Sequence, residues 1–100
     1  MKEFVEDLLE CVERTHRHAA RFVRAEPIVE KFEGAKVWEG VVHVFDLAGH
    51  PATSVAYAWS SPVEGSDRRR FYAVLGVPPI NSAADAVRAA IVADRKAGRE

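Results

Sequence analysis

The chain has a single cysteine, Cys11, no long apolar run and almost no net charge. One cysteine excludes an internal disulfide framework and a cysteine-rich zinc site. Fourteen Lys and Arg against fifteen Asp and Glu leave a formal charge of −1, so there is no basic field to attract nucleic acid or an anionic membrane. No apolar run reaches the roughly 20 residues that span a bilayer, and the first residues lack the basic and then apolar order of a signal peptide. We therefore expect a cytoplasmic protein that binds neither nucleic acid nor membrane.

Recognised catalytic motifs are also missing. The sequence has no glycine-rich phosphate loop, no Cys-x-x-Cys, no Gly-x-Ser-x-Gly and no His-Glu-x-x-His. If residues 16–18 are helical, His16 and His18 point about 200° apart and do not bind one metal ion together. We predict no catalytic residue, no metal and no cofactor, and the sequence leaves open whether the protein is an enzyme.

We expect residues 1–100 to form a single domain, since 100 residues with 48% hydrophobic side chains suffice for one core. Apolar residues at helical spacing predict a helix of about six turns over residues 3–25, which Pro27 ends. The segment Pro27–Phe32, closed by Gly34, could add one short helical turn. Ser82, followed by Asp85, opens an alanine-rich helix that reaches about Ala97.

Between these helices the pattern changes to that of strands, rich in Val, Trp, Phe and Tyr. We predict strands over Val37–Leu47, Ala52–Ser60 and Arg69–Val77, with a tight hairpin at Gly49-His50. The order α-β-β-β-α predicts an α+β domain with a three-stranded antiparallel meander, arranged in two layers.

Both faces of this meander are apolar, although a sheet with one solvated face alternates apolar with polar residues. If Gly49-His50 is the hairpin tip, Val42 lies opposite Tyr57 and Gly40 opposite Trp59. The face with Ala56, Ala58 and Ala73 is low in the middle and suits the alanine-rich last helix. The other, which we call the aromatic face, collects Trp38, Val42, Val44, Val55, Tyr57, Trp59, Tyr72 and Val74, with Arg70 near its margin.

Two arrangements follow from this asymmetry. If both helices lie on the alanine face, the aromatic face is open, and an open patch of this size usually marks a binding surface. We then expect a homodimer, a non-enzymatic interaction module with Trp38, Tyr57, Trp59 and Tyr72 as anchors. If the first helix covers the aromatic face, the chain is a three-layer monomer.

A pocket between sheet and helices is the alternative function. It would hold an apolar or aromatic small molecule, or serve a minor enzyme, with His43, Tyr57 and Tyr72 as polar contacts. Burial would lower the pKa of His43 and leave a neutral base, although a core histidine is the more ordinary explanation. Arg70, in the run Arg68-Arg69-Arg70, could bind a phosphate or stack on a base, or lie in solvent at the strand start.

Two resemblances bear on function. The order α-β-β-β-α is similar to that of double-stranded-RNA-binding domains, but their last helix begins with a lysine cluster and this one begins Ser82-Ala83-Ala84-Asp85-Ala86. The block from Lys36 to Leu47, with Gly49-His50-Pro51 and Tyr57-Ala58-Trp59-Ser60, resembles small bacterial proteins of uncharacterised function. That likeness implies a bacterial source and supplies no activity or functional residue to carry over. Separately from this resemblance, we expect that the gene could come from a mobile cassette.

Overall fold

The computed structural model describes residues 2–63 and 65–96. Four strands form one antiparallel sheet in the order β1-β2-β3-β4. The α+β class is confirmed, but the sheet has four strands and not three. The elements are α1 (Lys2–His16), β1 (Ala20–Phe32), β2 (Ala35–Leu47), β3 (Val55–Pro62), β4 (Arg69–Leu75) and α2 (Ala83–Lys96).

The additional strand, β1, replaces the second half of the helix predicted over residues 3–25. Helix α1 ends at His16, where Arg17 takes a positive φ of 60° and its N–H donates to the Glu13 carbonyl at 2.8 Å. Glu13 Oε2 also accepts from the Ala20 N–H at 2.9 Å, which ties the helix end to the start of β1. Pro27 lies within β1, and an edge strand tolerates a proline because one of its sides forms no ladder. The predicted helical turn at Pro27–Phe32 is therefore wrong as well.

The two helices cover opposite faces of the sheet. Helix α1 packs on the alanine face, where Leu8 and Val12 are buried with Ala56 and Ala58. Helix α2 packs on the aromatic face, where its residues Ala83, Ala86 and Val87 are buried with Val42, Val44, Tyr57 and Trp59. The prediction of two layers, with the last helix on the alanine face, is wrong.

Side-chain volumes explain this choice of faces. The alanine face carries short side chains at its centre, and the larger Leu8 and Val12 side chains of α1 fill the space above them. The aromatic face carries large side chains. Helix α2 approaches this face closely because it makes contact through small residues, including Ala83 and Ala86, which are 1% and 0% exposed. Close packing throughout an interior favours small side chains opposite large ones.

The predicted strand faces are correct, although the predicted register is not. Tyr57 pairs with Val44 and not with Val42, a shift of two residues that keeps every side chain on its predicted face. The connection from β2 to β3 is longer than the predicted tight hairpin, and the Leu47 N–H donates to the Ser54 carbonyl across its base at 2.8 Å.

Part of the α1-covered face lies beyond the reach of α1. Val29, Val37 and Val41 form what we call the valine patch, and they are 49%, 39% and 45% exposed. Val29 pairs with Glu39, so Val37 and Val41 are its diagonal neighbours on the same face. Within the described residues, neither helix has the length and apolarity needed to cross a bilayer.

Candidate functional site: a groove between α2 and the divided sheet

The sheet divides into two hairpins beyond His43. The ladder between β2 and β3 has four pairs, from Asp46–Val55 to His43–Ala58. Further along, β2 continues in pairs with β1, while β3 continues in pairs with β4 as far as Pro62–Arg69. A space therefore opens between residues 37–42 of β2 and residues 59–62 of β3.

Two tryptophans partly fill this space. The Trp38 and Trp59 rings meet edge to face, with centroids 6.2 Å apart and planes at 66°. Trp38 Nε1–H donates to Ser61 Oγ at 3.0 Å and so joins the two hairpins. A Cβ at Gly40 would lie 2.7 Å from the Trp38 ring, so glycine is required for the indole to lie flat along its own strand.

Helix α2 crosses above the division and leaves a groove of about 650 Å³ beneath its second half. This volume lies within the roughly 300–1,000 Å³ of typical small-molecule sites. Tyr72 stacks on Trp59, with ring centroids 5.0 Å apart and planes at 9°, and together they form a rigid wall. The groove is lined by Val37, Trp38, Trp59, Ser61, Pro62, Val63, Arg70, Tyr72, Val87, Ala90, Ile91, Asp94 and Arg95.

Three polar side chains converge on one side of this groove. The Tyr72 hydroxyl donates to Asp94 Oδ2 at 2.8 Å, and Arg70 Nη1 lies 4.0 Å from the same oxygen. Burial, and then the hydrogen bond to Asp94, raise the pKa of Tyr72 above its ordinary value. Interaction with the Tyr72 side chain raises the pKa of Arg70 in turn. Tyr72 is therefore a neutral donor at physiological pH, and Arg70 is a permanent cation beside it.

The opposite side of α2 is fixed to β1. Arg88 Nε and Nη2 donate to the two carboxylate oxygens of Glu30 at 3.0 and 3.2 Å, and the Glu30 side chain is only 10% exposed. A bidentate guanidinium–carboxylate pair sets orientation as well as distance. Because α2 is held at Glu30 on one side and at Tyr72 on the other, the groove has a fixed roof.

The predicted site residues do not all meet. Trp38, Trp59, Tyr72 and Arg70 lie together in the groove. Tyr57 is 6% exposed in the core beside α2, where burial raises the pKa of its hydroxyl. The premise of a dimer built on an open aromatic face is therefore wrong, since Trp59 is 2% exposed in a single chain.

His43 lies on the other face of the sheet and cannot share a pocket with Tyr72. It is 7% exposed, and its ring centroid is 5.6 Å from that of Phe22. Burial lowers the pKa of His43, as predicted. His43 therefore has the environment of a core histidine. The groove is on the α2 side of the sheet and not beside His43, where the pocket was predicted.

The sequence reasoning missed several contributors to the groove. Asp94 of α2 accepts from the Tyr72 hydroxyl and lies 4.0 Å from Arg70. Ile91 and Arg95 were not selected, although helical spacing from Val87 places Ile91 on the same helix face. The pairing of Glu30 with Arg88 could not be predicted from the local sequence, because the segment that contains Glu30 was predicted as a helical turn and not as a strand.

His16, His18 and His50 lie near the end of α1 and the β2–β3 connection. The ring centroids of His18 and His50 are 4.9 Å apart. His16 Nε2 is 3.1 Å from the Ala73 carbonyl oxygen. Burial lowers the pKa of His16, and the charges of His50 and His18 add to that effect. Across the described part of the chain, no three His, Cys, Asp or Glu side chains are placed to hold a metal ion.

This chain was compared with known proteins in three ways. A scan against protein-family models, a search of curated proteins and a search of solved structures each found no match.

Proposed function

We propose that this protein binds a small, mainly apolar organic molecule in the groove between α2 and the divided sheet. One observation carries the proposal: a groove of about 650 Å³ combines aromatic walls with a few convergent polar groups. That combination is typical of small-molecule sites. Packing on both sides fixes α2, so the groove exists before a ligand arrives, which lowers the entropic cost of binding.

The two tryptophans give a direct readout of binding. They are the only tryptophans of the chain, and both line the groove. In a ¹⁵N–¹H spectrum their indole N–H groups give two separate cross-peaks. A ligand in the groove should shift both, whereas a ligand elsewhere should leave them in place.

The test uses 2-naphthylmethanol, a neutral aromatic alcohol, as the probe. Titration should shift both indole cross-peaks and reach saturation. The variant Ala90→Phe should abolish the shifts because its ring fills the groove. Ala93→Phe is the matched control, since Ala93 is exposed on the same helix and does not line the groove. The proposal is overturned if the native protein shows no saturable shift, or if a folded Ala90→Phe variant binds as well as the control.

A second candidate function is self-association through the valine patch. The three valines are 39–49% exposed and lie on one face of two paired strands, around Glu39, which pairs with Val29. Lys36 Nζ lies 2.6 Å from Glu39 Oε1, so the patch carries one charge of each sign, and two copies facing each other could pair these charges. Two such sheet faces could pack across a two-fold axis. The predicted homodimer is thus retained as a proposal, on a different surface.

Analytical ultracentrifugation tests this second candidate. Native protein should sediment as a dimer at micromolar concentration, and Val41→Glu should sediment as a monomer. Val92→Glu is the control, because Val92 is 48% exposed, close to the 45% of Val41, but lies on α2. A native monomer over the whole concentration range would refute self-association and leave the groove proposal intact.

A further inference from the structure

The charges in the groove discriminate between possible ligands. Among the described residues, its lining contains Arg70, Arg95 and one carboxylate, that of Asp94. This described lining therefore carries a net charge of +1. A ligand amine at Asp94 would lie close to the Arg70 guanidinium, whereas a ligand anion at Arg70 would be attracted by both arginines.

Arg70 has donors to offer such an anion. A guanidinium carries five N–H donors, and at 4.0 Å from Asp94 Oδ2 the Nη1 group is beyond hydrogen-bond distance of that oxygen. The Arg70 side chain is 45% exposed and lies at the groove. Asp94 Oδ2, which accepts the Tyr72 hydroxyl at 2.8 Å, is the nearby carboxylate oxygen that faces Arg70.

The rest of the groove suits a flat ring. Trp59 contacts the half-buried Trp38 on one side and Tyr72 on the other, so the three rings form one aromatic surface beneath α2. Ile91 and Ala90 of α2 form the roof. Aromatic rings favour offset stacking and edge contacts with other rings, which add to the free energy of simple burial.

We propose that the ligand is an aromatic carboxylate, whose ring packs against the aromatic surface of Trp38 and Tyr72 beneath α2 and whose carboxylate binds the Arg70 guanidinium. This inference rests on the proposed function and adds the chemical class of the ligand. Guanidinium recognises carboxylate through paired N–H donors, which a neutral group of the same size cannot accept as strongly.

The experiment compares three probes on the native protein by the shifts of the indole cross-peaks. The probes are 2-naphthoate, the neutral 2-naphthylmethanol, and hexanoate, an aliphatic carboxylate. We expect 2-naphthoate to bind about tenfold more tightly than the alcohol, which corresponds to the charge-assisted pair. Hexanoate should bind more weakly than both because it has no ring to stack.

The variant Arg70→Gln should reduce the advantage of 2-naphthoate over the alcohol to less than about threefold. Arg68→Gln is the matched control, since Arg68 is exposed in the preceding loop, and it should keep the full advantage. If the native protein binds both aromatic probes equally, the carboxylate assignment fails while the groove proposal stands. If neither aromatic probe binds, both fail. Tighter binding of the alcohol alone would also refute the assignment to Arg70.

Discussion

Replacing Val87 with alanine should destabilise the protein by about 2 kcal/mol. Val87 is 1% exposed and packs in the cluster that contains Val44 and Trp59. Losing two buried carbon groups costs roughly 1.6 kcal/mol in transfer free energy, and the residual cavity adds about 1 kcal/mol. The higher helix propensity of alanine offsets this loss by about 0.6 kcal/mol.

The control is Val92→Ala, the same substitution five residues further along α2. Val92 is 48% exposed, so its truncation removes little buried surface and should change the free energy of unfolding by less than about 0.5 kcal/mol. Urea denaturation followed by tryptophan fluorescence measures both variants. Equal effects for Val87→Ala and Val92→Ala would contradict the orientation of α2.

A double-mutant cycle tests which face of the sheet α2 covers. Val87→Ala combined with Val44→Ala should show a coupling of more than about 0.5 kcal/mol, because both side chains belong to one cluster. Val87→Ala combined with Val12→Ala should be additive, since Val12 is in the cluster on the opposite face. The reverse pattern would place α2 on the alanine face.

Three further predictions concern the groove and the buried histidine. Tyr72→Phe should destabilise the fold by about 1 kcal/mol through loss of the hydrogen bond to Asp94; no change in the urea midpoint would contradict this. Burial favours the neutral form of His43 and lowers its pKa in the folded protein. The contribution of His43 to the free energy of unfolding is therefore complete above the unfolded pKa of about 6.5, and it is lost as the pH falls towards the lower folded pKa. In His43→Leu the free energy of unfolding should decrease less between pH 7.5 and 5.5 than in the native protein. An unchanged decrease would contradict the burial of a neutral His43. Gly40→Ala should displace the Trp38 indole and move its cross-peak without ligand; an unmoved peak would contradict the close approach.

The sequence predicted strand positions and faces well where the period of two was unambiguous. From Val37 to Leu47 the alternation is regular, and every predicted face there is correct even though the register to β3 was two residues off. Residues 19–25 were ambiguous because Ala20, Phe22 and Val23 fit a helical wheel as well as a strand. The helix ends instead at a left-handed Arg17, and no sequence rule assigns that conformation to an arginine.

The choice of helix for each face depended on complementary volumes. Alanines on the sheet suggested a close helix, but the alanines of α2 serve the same purpose from the helix side. Pairing small α2 residues with large aromatic rings, and large α1 residues with sheet alanines, satisfies both faces at once. That solution needs the two helices to be considered together, and local patterns treat each one separately.

The groove was only partly predictable for a similar reason. Trp38, Trp59, Tyr72 and Arg70 share a sheet face, which alternation revealed. The space between them arises because β2 and β3 pair over only a short ladder of four pairs, and no local signal marks that division. Asp94 joins the group only once α2 lies on the aromatic face.

The burial of Trp59 by α2 of its own chain can be measured by acrylamide quenching in the variant Trp38→Phe, which leaves Trp59 as the only fluorescent indole. At 2% exposure, Trp59 should be weakly quenched, and the quenching constant should stay the same on dilution from about 100 μM to about 0.1 μM, a range that separates most dimers. Quenching that rises on dilution towards the value of free tryptophan would show that a partner, and not α2, covers the aromatic face.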